Sequence, residues 1–113
     1  MIIEQIIISY LGSIEGLPDV YAMRPETKPD TYIIVEKTGS GTENKIHTAN
    51  VAIQSYAPDL YSAAQLNEAV KEAMLDIVTL DAIASCRLQN DYNFTNTATK
   101  QPRYQAVFNI THY

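Results

Sequence analysis

The stretch TYIIVEKTGSGTENKIHTANVAIQSY, residues 31–56, decides how the rest of the chain is read. TYIIVEK has the β-prone pattern of a strand, TGSGTEN breaks every periodicity, and KIHTANVAIQSY resumes a strand-like pattern, which predicts a β-hairpin. Gly39-Ser40-Gly41 admits two readings. A phosphate cradle needs backbone amides that lead into a helix N-terminus, with a lysine in G-x-x-x-x-G-K-[ST] spacing. Here the glycines lead into a strand and that spacing is absent. Glycine's freedom at positive φ suits a tight strand reversal instead, so the segment 38–45 is expected to be the hairpin tip, centred on Gly39, Ser40 and Gly41.

Upstream, Ile3, Ile6, Ile7, Tyr10, Leu11 and Ile14 recur at three- and four-residue steps, predicting a helix over 2–14 with Gly12 and Gly16 as stops. LPDVYAM holds a short β-prone run, and Pro25 and Pro29 keep the following connector extended and out of any central strand. Downstream, Leu60, Ala63, Leu66, Val70, Ala73, Met74 and Ile77 form one helical stripe, with Asp59 suited to the helix start. AIASCRLQNDYNF and RYQAVFNITHY then read as two more strands. The polar segment 90–102 between them is longer than most connections in a small domain, and such loops are usually functional or mobile. Hairpins are antiparallel and two amphipathic helices need a shared apolar surface. The expected class is therefore α+β: a mostly antiparallel sheet of four to five strands with both helices on one face, in a single domain spanning 1–113.

With 113 residues, 46% of them hydrophobic and 19% charged, the composition is that of a globular chain, and no apolar run is long enough to span a bilayer. MIIEQIIISYLG lacks a basic leader and a small-residue cleavage site, so no signal peptide is expected and the chain is expected to stay in the cytoplasm where it is made. Cys86 is the one cysteine, which excludes an internal disulfide and a multi-cysteine zinc site. His47 and His112 sit in strand-like runs without further ligand-type residues at metal spacing, and no serine lies in a G-x-S-x-G elbow. No catalytic residue, cofactor or metal is expected. A net charge of −5 argues against specific grip on nucleic acid.

What chemistry remains lies in surface charge. Glu68, Glu72 and Asp76 stand four apart on one edge of the second helix, and the closing hairpin carries Arg87, Lys100 and Arg103. A solvated face is the simplest account of the acids. The functional account is a candidate subunit interface, in which the helix edge of one copy meets the closing hairpin of another in a head-to-tail ring.

Taken in order, the N-terminal helix, VYAMRPETKPDTYIIVEKTGSG, TANVAIQSYAPD, the alanine-rich LYSAAQLNEAVKEAML and a closing strand pair resemble the tail-terminator, or tail-completion, proteins of long-tailed bacteriophages and prophages. The resemblance covers nearly the whole chain through soft motifs. It implies a homo-oligomer, a hexameric ring that caps the tail tube in the virion, stops its growth and offers a surface to the head connector, with assembly in the host cytoplasm. DNA would pass through such a ring without being gripped, in keeping with the acidic chain, and no membrane partner is implied. By position, it puts Gly39, Ser40 and Gly41 and the loop residues Tyr92, Asn93 and Phe94 at tube or connector contacts, and the second helix at the subunit boundary. A head-closure or other minor tail role has the same features. From another class, a small cytosolic ligand-binding domain or enzyme would use a pocket between helices and sheet.

Overall fold

The computed structural model describes residues 2–27 and 29–113. Its elements are α1 (Ile3–Gly12), β1 (Val20–Tyr21), β2 (Tyr32–Glu43), β3 (Ile46–Tyr56), α2 (Leu60–Leu75), a 3₁₀ turn (Ile77–Thr79), β4 (Ile83–Asn93) and β5 (Arg103–His112). The fold is α+β. Five strands form one sheet in the order β1-β2-β3-β5-β4. The short β1 runs parallel to β2, pairing Val20 with Ile33 and Tyr21 with Ile34, and every other pairing is antiparallel.

Strand alternation sorts the sheet into two faces. On one face Ile33, Val35, Ala49, Val51, Ile53, Ala106, Phe108 and Ile110 meet Ile3, Ile7 and Leu11 of α1 and Val70 and Met74 of α2 in a single buried cluster. Both helices therefore cover the same side. α1 has no side-chain cap at Ile2, so its stability comes from that buried stripe. α2 is capped by Asp59, whose carboxylate accepts hydrogen bonds from the Ser62 amide at 2.7 Å and the Ser62 hydroxyl at 2.9 Å. Those bonds hold the Asp59 carboxyl below its ordinary pKa. Leu60, placed on the apolar stripe by its spacing, is instead exposed at the first turn, and Asn67 takes a buried position on the stripe.

The hairpin of residues 31–56 forms, but it does not turn at the glycines. Glu43 pairs with Ile46, leaving Asn44-Lys45 as a two-residue reversal with φ of 52° and 65°. With both central residues at positive φ this is the type I′ reversal, whose twist matches the right-handed twist of the strands, and Asn reaches that region more readily than most residues. Gly39, Ser40 and Gly41 lie inside β2, just past a bulge between Lys37 and Gly39. A Cβ on Gly41 would stand 3.2 Å from Oγ1 of Thr48 on the neighbouring strand, a close approach that the Thr48 side chain would have to yield to. Lys45 bears the cost of a left-handed conformation without glycine's freedom. Lys45→Gly is expected to raise the unfolding free energy by about 1 kcal/mol, read from urea denaturation.

The closing connection is also shorter than the polar composition suggests. β4 continues to Asn93, with Asn90, Asp91, Tyr92 and Asn93 paired to Val107, Ala106, Gln105 and Tyr104, so the loop proper is 94–102.

Candidate functional site

The face of the sheet away from the helices carries the most organised polar structure in the molecule. Tyr32 and Tyr56, cross-strand partners on β2 and β3, stack with ring centroids 4.5 Å apart and planes 8° from parallel, and Tyr21 meets Tyr32 edge-on at 6.3 Å. Both stacked rings are almost fully buried although no helix covers this side. Their cover is the 94–102 loop with the residues beside it. Gln101 Nε2 donates to the Tyr32 hydroxyl at 3.3 Å, and Arg24 donates to Gln101.

At the edge of this cover six side chains close a circuit. The Arg103 guanidinium lies 4.3 Å from the Phe94 ring centroid and donates to the Phe94 carbonyl and, at 2.8 Å, to the Tyr56 hydroxyl. Tyr56 donates to Gln54 Oε1 at 2.9 Å, Gln54 Nε2 to Gln105 Oε1 at 2.9 Å, and Gln105 Nε2 to the Tyr92 hydroxyl at 2.6 Å. The Tyr92 ring then meets Phe94 edge-on at 5.7 Å, which returns the path to Arg103. Gln54 and Gln105 are only 7% and 8% exposed, and each amide has its partners inside the circuit. Asn109 donates to Asn50 at 3.1 Å on the same face. Cross-strand amide and hydroxyl pairs of this kind make a flat, rigid, hydrogen-bonding surface, on which Tyr92 and Phe94 are each exposed by more than a third.

Of the residues singled out from the sequence, the fold thus joins Tyr92, Phe94 and Arg103. Asn93 caps the start of the loop, accepting from the Thr95 amide and hydroxyl. Lys100 is exposed in the loop at φ 56°, and Arg87 is exposed on the sheet face of β4 that carries Asn109's row. Arg87 and Arg103 therefore share the sheet face opposite the acidic helix edge, and Lys100 lies in the loop between their strands. That edge is itself divided. Lys71 binds Glu68 at 2.9 Å and Asp91 at 3.0 Å, and Asn67 Nδ2 donates to Asp91 at 2.9 Å, so α2 is clamped to β4 of its own chain. Glu68 and Glu72 border a groove of about 310 Å³ between α2 and β4, floored by Leu75 and Leu88. Glu72 and Asp76 border another, of about 450 Å³, between α2 and the end of α1. There Tyr10 donates to the Ala73 carbonyl at 2.7 Å, and burial, then the Asp76 charge, raises its pKa.

His47 and His112 are cross-strand partners on β3 and β5, their ring centroids 5.3 Å apart. Nδ1 of His47 shares a hydrogen bond with Thr42 at 3.0 Å. Among the described residues no group of three or more His, Cys, Asp or Glu side chains is placed to hold a metal ion. Burial, with the nearby His47 and Lys37, lowers the pKa of His112 against the opposing pull of Glu4 and a backbone hydrogen bond at Tyr113. A histidine whose folded pKa is depressed gives stability above its unfolded value that is lost on acidification. Urea midpoints are accordingly expected to fall between about pH 7 and pH 5, and to fall less in His112→Gln. Cys86 is half-buried against the core, and desolvation pushes its thiol up to about 11, so it is mostly protonated and a poor nucleophile at neutral pH.

Periodicity in the sequence could not have shown the tyrosine stack, which depends on the register of the β2–β3 hairpin, or the glutamine pair, which joins strands 51 residues apart. A weak signal exists in the placing of Gln54 and Tyr56 two apart, which puts them on one face of a strand. The chain matches no model of a known protein family and no curated protein sequence.

Proposed function

We propose that the chain is a structural protein of virion assembly: a ring-forming tail terminator that caps a phage tail tube and presents a joining surface to the head connector. The observation that carries this reading is the open face of the sheet. Its hydrogen-bonding groups are organised into the Arg103–Tyr56–Gln54–Gln105–Tyr92–Phe94 circuit, which fixes the Tyr92 and Phe94 rings, each exposed by more than a third, at its margin. A rigid, flat, polar-aromatic surface suits contact with another protein, because little conformational freedom is lost on covering it. The partners in this reading are further copies of the chain, a tube subunit on one rim and a connector subunit on the other. The acidic surface of α2 and the net charge of −5 suit a ring through which DNA slides without sticking.

The test is deletion of the gene from the phage or prophage that encodes it, followed by electron microscopy of the particles. Overlong, headless tails are the expected result. Tails of normal length left unjoined to filled heads would assign the chain to head closure, and normal virions would overturn the proposal.

A further inference from the structure

The sheet ends in two open edges. On one side, β1 pairs with β2 only at Ile33 and Ile34, and among the described residues no strand pairs with the outer side of β2 from Glu36 to Glu43. On the other side, among the described residues β4 pairs only with β5, leaving its outer side unpaired along its length. Unpaired strand edges are templates for adding another strand unless something blunts them. Both edges are bulged next to the row that holds Lys37 and Leu88, β2 on one side of it between Lys37 and Gly39 and β4 on the other between Leu88 and Asn90, and β4 again between Ile83 and Ser85.

Strand directions and register state what would meet. From β2 to β4 there are three antiparallel steps, so β4 runs opposite to β2. Placing β2 of a second copy beside β4 of the first therefore continues the sheet antiparallel, with the helices of both copies on the same side. Across the sheet, Lys37, Val51, Phe108 and Leu88 lie on one row, and Gly39, Asn50, Asn109 and Arg87 on the next. Copies related by rotation about an axis parallel to the strands bring equal rows together, which sets Lys37 of one copy beside Leu88 of the other, on the helix side.

That is where the groove between α2 and β4 lies. It is floored by Leu75 and Leu88, 60% and 38% exposed, and rimmed by Glu68 and Glu72. Glu68 already holds Lys71, whereas Glu72 forms no ion pair among the described residues. Lys37 is exposed and likewise makes none. Its aliphatic stem matches the leucine floor and its ammonium the carboxylate rim. On the opposite face Glu36 of the second copy would stand diagonal to Arg87, a further pairing of opposite charge.

We propose that copies of this chain join by strand addition, the outer edge of β2 at residues 36–41 pairing antiparallel with β4 at residues 85–90, with Lys37 seated in the partner's α2–β4 groove against Glu72. The proposal rests on the reading above that the chain assembles with copies of itself, and it names the surface by which it does so. Main-chain bonds would supply affinity, and the lysine in its groove the register.

The full chain carrying Cys86→Ser, Lys37→Cys and Leu88→Cys tests it directly. Directly opposed antiparallel residues have the Cα separation a disulfide needs, so oxidation is expected to give a ladder of covalent multimers on denaturing gels, absent when either new cysteine is omitted. In sedimentation velocity at low salt, Lys37→Glu and Glu72→Lys are each expected to weaken self-association by roughly 10-fold, and the two together to restore it. Each variant is first checked for native circular dichroism. No ladder, or association unmoved by either charge reversal, overturns the contact. Rings that persist without it leave the ring-forming reading standing. A ladder and a restoring double variant, beside normal virions after gene deletion, would keep the contact and remove the tail role.

Discussion

Phe108→Ala is expected to cost about 3–5 kcal/mol of unfolding free energy, a large part of what a domain of this size possesses. Phe108 is fully buried on β5, an interior strand, where it stands between Val51 of β3 and Leu88 of β4 and shares the core with Val70 and Met74 of α2. Its removal leaves a cavity at the centre of the layer that joins helices to sheet, and interior strands cannot shift to fill it without breaking ladder bonds on both sides. Urea denaturation followed by far-ultraviolet circular dichroism measures the loss. A cost under about 1 kcal/mol would mean that the side chain is not enclosed as described.

Arg103→Ala is expected to cost about 2 kcal/mol and to loosen the 94–102 loop ahead of the rest of the fold. The guanidinium contacts the Phe94 ring and carbonyl and the Tyr56 hydroxyl together, which only a planar, forked donor achieves, so Arg103→Lys should recover little. Hydrogen exchange gives the local readout. The Phe94 amide, bonded to the Arg103 carbonyl at 2.9 Å, should lose at least about tenfold of its protection, while core amides such as that of Ile53 change only with global stability. Equal loss at both positions would show that the loop and the sheet open as one unit.

The helices and strands were legible in the sequence because each has a one-sided apolar pattern of its own. α1 was expected over 2–14 and runs Ile3–Gly12; the closing strands were expected over 82–94 and 103–113 and run Ile83–Asn93 and Arg103–His112. The turn was misplaced because glycine density was taken as the mark of reversal, whereas Gly41 answers to Thr48 across the sheet and the reversal uses Asn44. Asn67 was missed for a similar reason. A polar residue on a buried helical row makes sense only once Asp91, 24 residues away, is seen to accept its amide. Arg103, Arg87 and Lys100 were grouped by counting charges along the chain, and that count carried no sign that Arg103 is tied to Phe94 and Tyr56 of its own chain. Tyr92, Phe94 and Arg103 were each noted, but their convergence depends on the β4–β5 register, which the apolar pattern of each strand taken alone does not carry.

The stacked tyrosines give this protein a built-in optical gauge. With no tryptophan in the chain, its near-ultraviolet absorption belongs mainly to tyrosine, and two phenol rings held face to face at 4.5 Å couple their electronic transitions into a handed signal that isolated rings lack. Lifting the loop that carries Gln101 would free the rings and erase the signal, so the state of that surface could be followed by its own chromophores during assembly, without a dye or a label.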